Sequence, residues 1–275
     1  MNVRLLCFNV NGIRARLHQL ETVIAEHNPE IIGLQETKVD DPEFPIEAVN
    51  ALGYEVDFYG QKGHYGVALL SRRPAQSIRR GFPGDAADSQ RRIIHGCYQF
   101  GDAKLHVING YFPQGEGRAH PTKFPAKERF YSDLQSYIEN NFSAADRLVV
   151  MGDVNVAATD SDVGLTPDNA KRWLRTGKSS FLPEEREWLQ RLIDWGLTDT
   201  YRAMHGAQSR VYSWYDYRSR GYDQDPKIGL RIDLILTSAA AQREIVASGI
   251  DVATRGCEKP SDHCPIWVDL DIPEG

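Results

Sequence analysis

An α/β fold is predicted here, with a mixed, largely antiparallel pair of β-sheets and helices packed outside them. Three observations carry the prediction. Apolar runs of strand length recur along the whole chain. Few helical patterns separate them. After an initial strand–helix–strand order, strands follow one another at hairpin-like spacing, unlike the regular alternation of a doubly wound nucleotide-binding fold.

The first run covers residues 3–8, Val-Arg-Leu-Leu-Cys-Phe. Residues 14–27 then place Leu17, Leu20, Val23 and Ile24 on one helical stripe, and Pro29 follows its end. Strand-like runs come next at 31–34, 67–70, 92–100 and 105–110. A helix is expected over 126–142, where Phe130, Leu134, Tyr137 and Ile138 recur at helical spacing, and a strand over 148–151. The polar stretch 159–176 reads as a long functional loop rather than a linker. Residues 183–195 open with Pro183, carry Glu184 and Glu185 in the first turn and stop at Gly196, as a helix should. Trp188, Leu192 and Trp195 form its stripe and read as core. Strands at 232–237 and 264–272 complete the series. In the last, Ile266, Val268, Leu270 and Ile272 share one face, and Trp267, Asp269 and Asp271 the other.

At 275 residues, 41% hydrophobic and 25% charged, the chain is long enough for a large core. No Ser/Gly/Pro-rich linker, low-complexity tract or internal repeat divides it, so residues 1–275 are expected to form a single catalytic domain. No apolar run approaches a membrane span, and the N-terminus is too short and strand-like for a signal peptide. Cys7, Cys97, Cys257 and Cys264 form no zinc-ligand spacing and read as small buried hydrophobes of a reducing compartment. A cytoplasmic monomer is the expectation. The net charge of −6 argues against wholesale phosphate binding. Basic residues nevertheless cluster at Arg72-Arg73, Arg79-Arg80, Arg91-Arg92 and within 171–178. Each Arg pair alone reads as solvated surface charge, yet an acidic chain can still present a basic stripe.

The chemistry gathers where apolar runs end. Asn9, Glu36, Tyr111, Asp153 with Asn155, and Asp262 with His263 stand at such ends, and Asp233 lies between Ile232 and Leu234. Any one of these alone reads as a turn or cap; the full set does not. A carboxylate inside a strand must be paired or solvated. Carboxylate and amide oxygens with one histidine, and no Cys–His cluster, suit Mg²⁺ or Mn²⁺ better than Zn²⁺. Phosphodiester hydrolysis needs an activated water, neutralised phosphate charge and help for the leaving oxygen. Asp153 can take a proton from water. Asn155 and Asn9 can orient water or phosphate. Glu36 can hold a metal, His263 and Tyr111 can bind phosphate oxygens, and Asp233 can orient His263. Either Asp153 or His263 can serve as the base, with Asp153 preferred. No GxxxxGK[ST], GxGxxG or GxSxG motif points to another reaction. Ser261 beside Asp262 and His263 has no triad geometry.

Longer phrases surround these positions. They are Phe8-Asn9-Val10-Asn11-Gly12-Ile13-Arg14-Ala15-Arg16, Gly33-Leu34-Gln35-Glu36-Thr37-Lys38, residues 60–70, Gln90-Arg91-Arg92-Ile93-Ile94, and Asn109-Gly110-Tyr111-Phe112-Pro113-Gln114-Gly115. They continue with Met151-Gly152-Asp153-Val154-Asn155, Lys171-Arg172-Trp173-Leu174-Arg175-Thr176-Gly177, Arg231-Ile232-Asp233-Leu234 and Glu258-Lys259-Pro260-Ser261-Asp262-His263. This ordered series spans essentially the full chain. It closely resembles the exonuclease III-like abasic-site endonucleases of the endonuclease/exonuclease/phosphatase superfamily.

The resemblance implies a four-layer (DNase I-like) α/β sandwich and a Mg²⁺-dependent DNA repair enzyme. Such enzymes cleave duplex DNA 5′ of abasic sites, remove nucleotides 3′→5′ and strip 3′-phosphates or blocked 3′ ends. It implies a metal-binding set of Asn9, Glu36, Asp153, Asn155, Asp262 and His263, and a catalytic set of Tyr111, Asp153, Asn155, Asp233 and His263. It also implies DNA contacts by Arg91, Lys123, Arg172, Arg175 and Trp214. Trp214 and Leu230, with Ile232, would wall a small apolar pocket that admits a flipped abasic sugar and excludes a normal base. The stretch 223–229 looks longer than its counterpart in relatives, which leaves substrate preference open. The same architecture serves lipid phosphoesterases, against which the DNA-facing residues argue. A non-catalytic DNA-binding module is disfavoured by the complete polar set.

Overall fold

Strands buried on both faces make continuous apolar runs rather than alternating ones, and the central strands are of this kind. The computed structural model describes residues 1–273. In chain order it contains β1 (Asn2–Asn9), α1 (Ile13–His27), β2 (Ile31–Gln35), α2 (Ile46–Ala51), β3 (Glu55–Tyr59), β4 (Val67–Ser71), β5 (Ser77–Arg80), β6 (Ile93–Phe100) and β7 (Ala103–Tyr111). It continues with α3 (Lys123–Asn141), β8 (Arg147–Asp153), α4 (Pro167–Thr176), α5 (Pro183–Trp195), β9 (Thr198–Asp199), α6 (Thr200–His205), β10 (Asp233–Thr237), α7 (Ala239–Gln242), β11 (Ile245–Ile250) and β12 (Ile266–Asp271).

These strands form two six-stranded sheets, ordered β11-β12-β1-β2-β4-β3 and β5-β6-β7-β8-β10-β9. Each sheet has one parallel pair, β1 with β2 and β7 with β8; its other pairs are antiparallel. The sheets pack face to face through Leu5, Cys7, Leu69 and Val268 on one side and Val107, Val149, Met151 and Ile235 on the other. The alternate residues Leu6, Phe8, Ile32 and Leu34 turn outward against Leu20 and Val23 of α1. Ile108, Val150, Leu234 and Leu236 meet Leu134 and Ile138 of α3 and Trp188, Leu189 and Leu192 of α5. The result is the four-layer sandwich that the resemblance implied.

A polar tie closes the gap between the sheets near one end. Asn109 of β7 donates to the carbonyls of Leu34 and Ala68, each at 2.9 Å, and accepts from Gln35 at 2.5 Å. The sheets approach so closely there that a Cβ on Gly33 would lie 2.6 Å from Met151 and 2.8 Å from Asn109. All partners are buried, so the tie satisfies groups that would each cost about 1–3 kcal/mol unpaired.

Four strands (β3, β5, β9 and β11) and four helices (α2, α4, α6 and α7) depart from expectation. These strands are the four sheet edges: β3 and β5 carry charges, β9 has only two residues, and Ser248 and Gly249 interrupt the apolar residues of β11. The stretch read as a long loop contains α4, which starts at Pro167 and ends at Gly177 with φ 69°. None of its residues is buried, and its short apolar side, Ala170 and Trp173, packs only half-buried against Phe181 and its neighbours. Cys257 is exposed, against the expected burial; Cys7, Cys97 and Cys264 are buried. Asp269, placed on the polar face of its strand, is buried and held by Arg4 at 2.6 Å.

One half-buried imidazole predicts acid sensitivity. His95 of β6 touches Tyr137 Oη at 2.8 Å and His106 at 3.1 Å. Burial, then the neighbouring His106 and Arg79, lower its pKa from 6.5 to about 4. The unfolded chain therefore binds this proton more tightly. Stability present above about pH 6.5 is lost as pH falls towards 4, by at most roughly 3 kcal/mol. Urea titrations across this range should show a flatter acid limb for His95→Phe than for the parent chain; superimposable limbs would discount the assignment.

Candidate active site

The strand ends bring the polar residues together by register alone. In one sheet Tyr111, Asp153 and Asp233 are lateral neighbours, since Tyr111 pairs with Asp153 and Asp153 with Asp233. In the other, Asn9 pairs with Gln35, which puts Glu36 just beyond it. Gly152 lets β8 run this close to β7: its φ is 156°, and a Cβ there would sit 1.9 Å from the Gly110 carbonyl oxygen. Glu36 and Asn155 take left-handed backbone with φ of 52° and 55°. Such conformations are costly away from glycine and concentrate at functional sites.

Asn9 bridges the two sheets' carboxylates. Its Nδ2 donates to Glu36 Oε1 and to Asp153 Oδ2, each at 2.9 Å, while its Oδ1 accepts the Asn11 N–H at 3.0 Å. The backbone donor fixes which way the amide faces: nitrogen, not oxygen, points at the carboxylates. Asn9 therefore holds the acids in place here rather than offering its oxygen beside them. Lys38 Nζ lies 2.8 Å from Glu36 Oε2. Burial alone would raise Glu36, but Lys38 and Asn9 hold it below the usual carboxylate range.

His263 is wedged between two acids. Its Nδ1 lies 2.9 and 3.0 Å from the Asp233 oxygens, and its Nε2 is 3.7 Å from Asp153 Oδ2. Asp233 also accepts from Ser213 Oγ at 2.7 Å. Burial would lower His263, yet Asp233 and Asp153 raise it to about 10. Burial, opposed by His263 and reinforced by Asp233 and Asp153's other neighbour Glu36, raises Asp153 to about 8. Two carboxylates flank His263 and favour its charged form. Its imidazole therefore holds a proton across neutral pH. Burial, then Glu36 and Asp153, keep the Tyr111 phenol protonated, a hydrogen-bond donor at neutral pH.

Donor atoms of Glu36, Asp153 and His263 lie within 4.8 Å of one another. The two carboxylates supply hard oxygen donors, which fit a cation such as Mg²⁺ or Mn²⁺. Asp262 stands apart from this cluster. Asn11 Nδ2 reaches its Oδ1 at 2.8 Å and Trp214 Nε1 its Oδ2 at 3.0 Å. Asn155 donates from Nδ2 to the Phe112 carbonyl at 3.0 Å. Ser261 is structural: its hydroxyl donates to the Asn9 carbonyl at 2.6 Å.

A cleft of about 970 Å³ opens over these groups. Glu36, Tyr111, Asp153, Asn155, Asp262 and His263 line it, with Trp214, Leu230 and Ile232 on an apolar wall. A more open groove of about 1230 Å³ lies between the 82–86 loop and α3; none of the chemical residues lines it.

The model of the endonuclease/exonuclease/phosphatase family matches residues 6–263, from just before Asn9 through His263. The chain belongs to this family. Among its relatives it is similar to exodeoxyribonuclease III of Haemophilus influenzae, 52% identical over 98% of this chain and all of that protein. Its fold superimposes on a Neisseria 3′ phosphatase solved with a product DNA hairpin, at 34% identity and TM-score 0.88, covering 98% of this chain and all of that one. An AP endonuclease from Archaeoglobus fulgidus aligns with 31% identity, TM-score 0.88 and the same coverage.

Within this family fold, the expected DNA contacts divide. Arg172, Trp214 and Leu230 line the cleft. Arg91, Lys123 and Arg175 do not. Arg91 is turned to Asp41 at 2.9 Å and the Gly60 carbonyl at 2.5 Å, and Lys123 pairs with Glu116. Arg175 is exposed on α4. Tyr212 and Tyr215 are core, while Tyr217 is exposed and donates to the Pro260 carbonyl. The cleft adds residues that were not singled out: Gln114, Asn169, Lys178, Arg218 and Gln224. Lys178 Nζ sits 3.8 Å from the Trp173 ring centre. Sequence signals for these were the phrase 109–115 for Gln114, the basic run 171–178 for Lys178 and the stretch 223–229 for Gln224.

Proposed function

We propose that this chain is a divalent-metal-dependent DNA repair nuclease, using Mg²⁺ with Mn²⁺ as a substitute, that hydrolyses the phosphodiester 5′ of abasic sites. It also degrades duplex DNA 3′→5′ and clears 3′-phosphates and other blocked 3′ ends. One observation carries this reading: Glu36, Asp153 and His263 converge beneath a cleft that has an apolar wall at Trp214, Leu230 and Ile232 and cationic side chains at Arg172 and Lys178. The family match and the DNA-processing relatives support it.

Glu36 and Asp153 would hold the cation; the protonated His263 stands beside them as a donor, and Asp262 and Asn155 line the same cleft. When bound, the cation neutralises phosphate charge and stabilises the developing leaving oxygen. Asp153, ionised when the bound cation and the protonated His263 flank it, would receive the proton of the attacking water. His263, kept protonated by Asp233, donates to a phosphate oxygen, and the Tyr111 hydroxyl and Asn155 amide do the same. Asn9 keeps the two acids apart and aligned. Arg172 and Lys178 hold flanking phosphates, and the wall at Trp214 receives a sugar that has lost its base. The described chain acts as one catalytic domain and as a monomer. The cytoplasm is its place, as the compartment of chromosomal DNA in a bacterium. No described helix is long and apolar enough to cross a membrane.

A duplex with one abasic site should be nicked 5′ of that site in Mg²⁺. Excess EDTA should reduce the rate by on the order of 10³-fold or more. Undiminished nicking in EDTA would remove the metal from the mechanism. Parallel reactions on 3′-phosphate and plain duplex ends, read by product length, should yield shortened and dephosphorylated strands.

A further inference from the structure

The turn after Asp153 is held from behind. Asp153 ends β8, and Asn155 follows in left-handed backbone at φ 55°. The Val154 N–H is anchored to the Ile232 carbonyl at 2.9 Å. The two carbonyls of the turn face α3. Tyr131 Oη donates to the Val154 carbonyl and Lys127 Nζ to the Asn155 carbonyl, both at 2.8 Å. Lys127 and Tyr131 are four apart on α3, so they share one face of the helix.

Lys127 has no exposed side-chain surface, and neither has its partner Glu185, 2.5 Å away. The other Glu185 oxygen accepts the N–H groups of Ser180 and Leu182 at 2.7 and 2.8 Å. Ser180 in turn lines the catalytic cleft. A buried ion pair is weak evidence for stability, since an apolar pair of similar volume often serves as well. Its effect here is geometric: it aims a cation at one peptide oxygen of the catalytic turn. Supporting contacts of this kind matter because a displacement of about 1 Å at a reacting group can cost roughly 10²-fold in rate.

We propose that Lys127 and Tyr131 are positioning residues that lock Asn155 in its left-handed conformation beside Asp153, with Glu185 aiming Lys127. The proposal rests on the nuclease reading of the site. Neither residue lines the cleft, so removing them should alter kcat rather than substrate affinity.

Two variants test it. Tyr131→Phe removes one hydroxyl and keeps the ring that packs on Phe112 and Trp188. Lys127→Met/Glu185→Gln removes both charges together and keeps an acceptor for Ser180 and Leu182. Cleavage of abasic duplex at saturating Mg²⁺ should show kcat lowered about fivefold by the first and tenfold or more by the second, with KM within twofold of the parent. Hydrogen–deuterium exchange over residues 153–157 should be faster in both. Should the double variant fail to fold, Tyr131→Phe decides alone. A kcat within twofold of the parent, a loss confined to KM, or unchanged exchange would each overturn the proposal. A parent chain that exchanges as expected but leaves abasic duplex intact would instead sink the nuclease reading, and the exchange comparison would still decide the positioning role.

Discussion

Replacing Asp153 by asparagine should lower the single-turnover rate of phosphodiester cleavage by on the order of 10³-fold, while affinity for abasic duplex stays within a few-fold. Two separate losses combine. The carboxylate that receives the proton of water disappears, and with it a ligand for the cation. The replacement amide also disturbs its neighbours. Asp153 Oδ2 accepts from Asn9 Nδ2 at 2.9 Å, and Asn9 cannot turn because its own oxygen takes the Asn11 N–H. An asparagine that presents nitrogen to Asn9 sets donor against donor, and one that presents oxygen turns its nitrogen towards the turn N–H of Asn155, which now bonds Asp153 Oδ1 at 3.1 Å. DNA affinity should survive, because Arg172, Lys178 and Trp214 lie elsewhere along the cleft. A gel-shift titration beside a quenched-flow trace provides the comparison. Cleavage within tenfold of the parent would move the base to another residue.

Breaking the Asp233–His263 couple should have the next largest effect, roughly 10²- to 10³-fold in kcat for His263→Asn. With Asp233 2.9 Å from Nδ1 and Asp153 near Nε2, the imidazole is protonated through neutrality. If the protonated ring is the working form, activity present at neutral pH is lost as pH rises through its raised pKa. Asp233→Asn removes the strongest charge holding that proton, so the alkaline limb of the pH–rate profile should move to lower pH. His263→Asn should lose that limb. If it loses the acid limb instead, neutral His263 is the base and Asp153 is not. If the profile keeps its main limb, the histidine titrates outside the chemistry.

The parts of this protein that could be read in advance share a physical reason. Leu5 to Phe8 and Leu148 to Met151 are apolar on both faces because helices cover one side of each sheet and the other sheet covers the opposite side. A polar residue that ends such a run is conspicuous. Asn9, Glu36, Tyr111 and Asp153 stood out for this reason. Edge strands such as Ser77–Arg80 and the unburied helix Pro167–Thr176 lack that contrast. Arg91 and Lys123 lie outside the cleft, because a long cation turns to whichever acid lies nearby, here Asp41 and Glu116.

By itself, then, the chain determined its class of layered sheets and the identity of the polar strand tips, since both follow from local burial patterns and from residue chemistry. Only the tertiary structure decided which atoms meet. Asn9 turns nitrogen rather than oxygen towards Asp153, 144 residues away. Asp262 faces Asn11 and Trp214. Lys127 reaches Asn155 from behind. These outcomes depend on strand register and on the closeness of two sheets at Gly33 and Asn109, which no short stretch of sequence encodes.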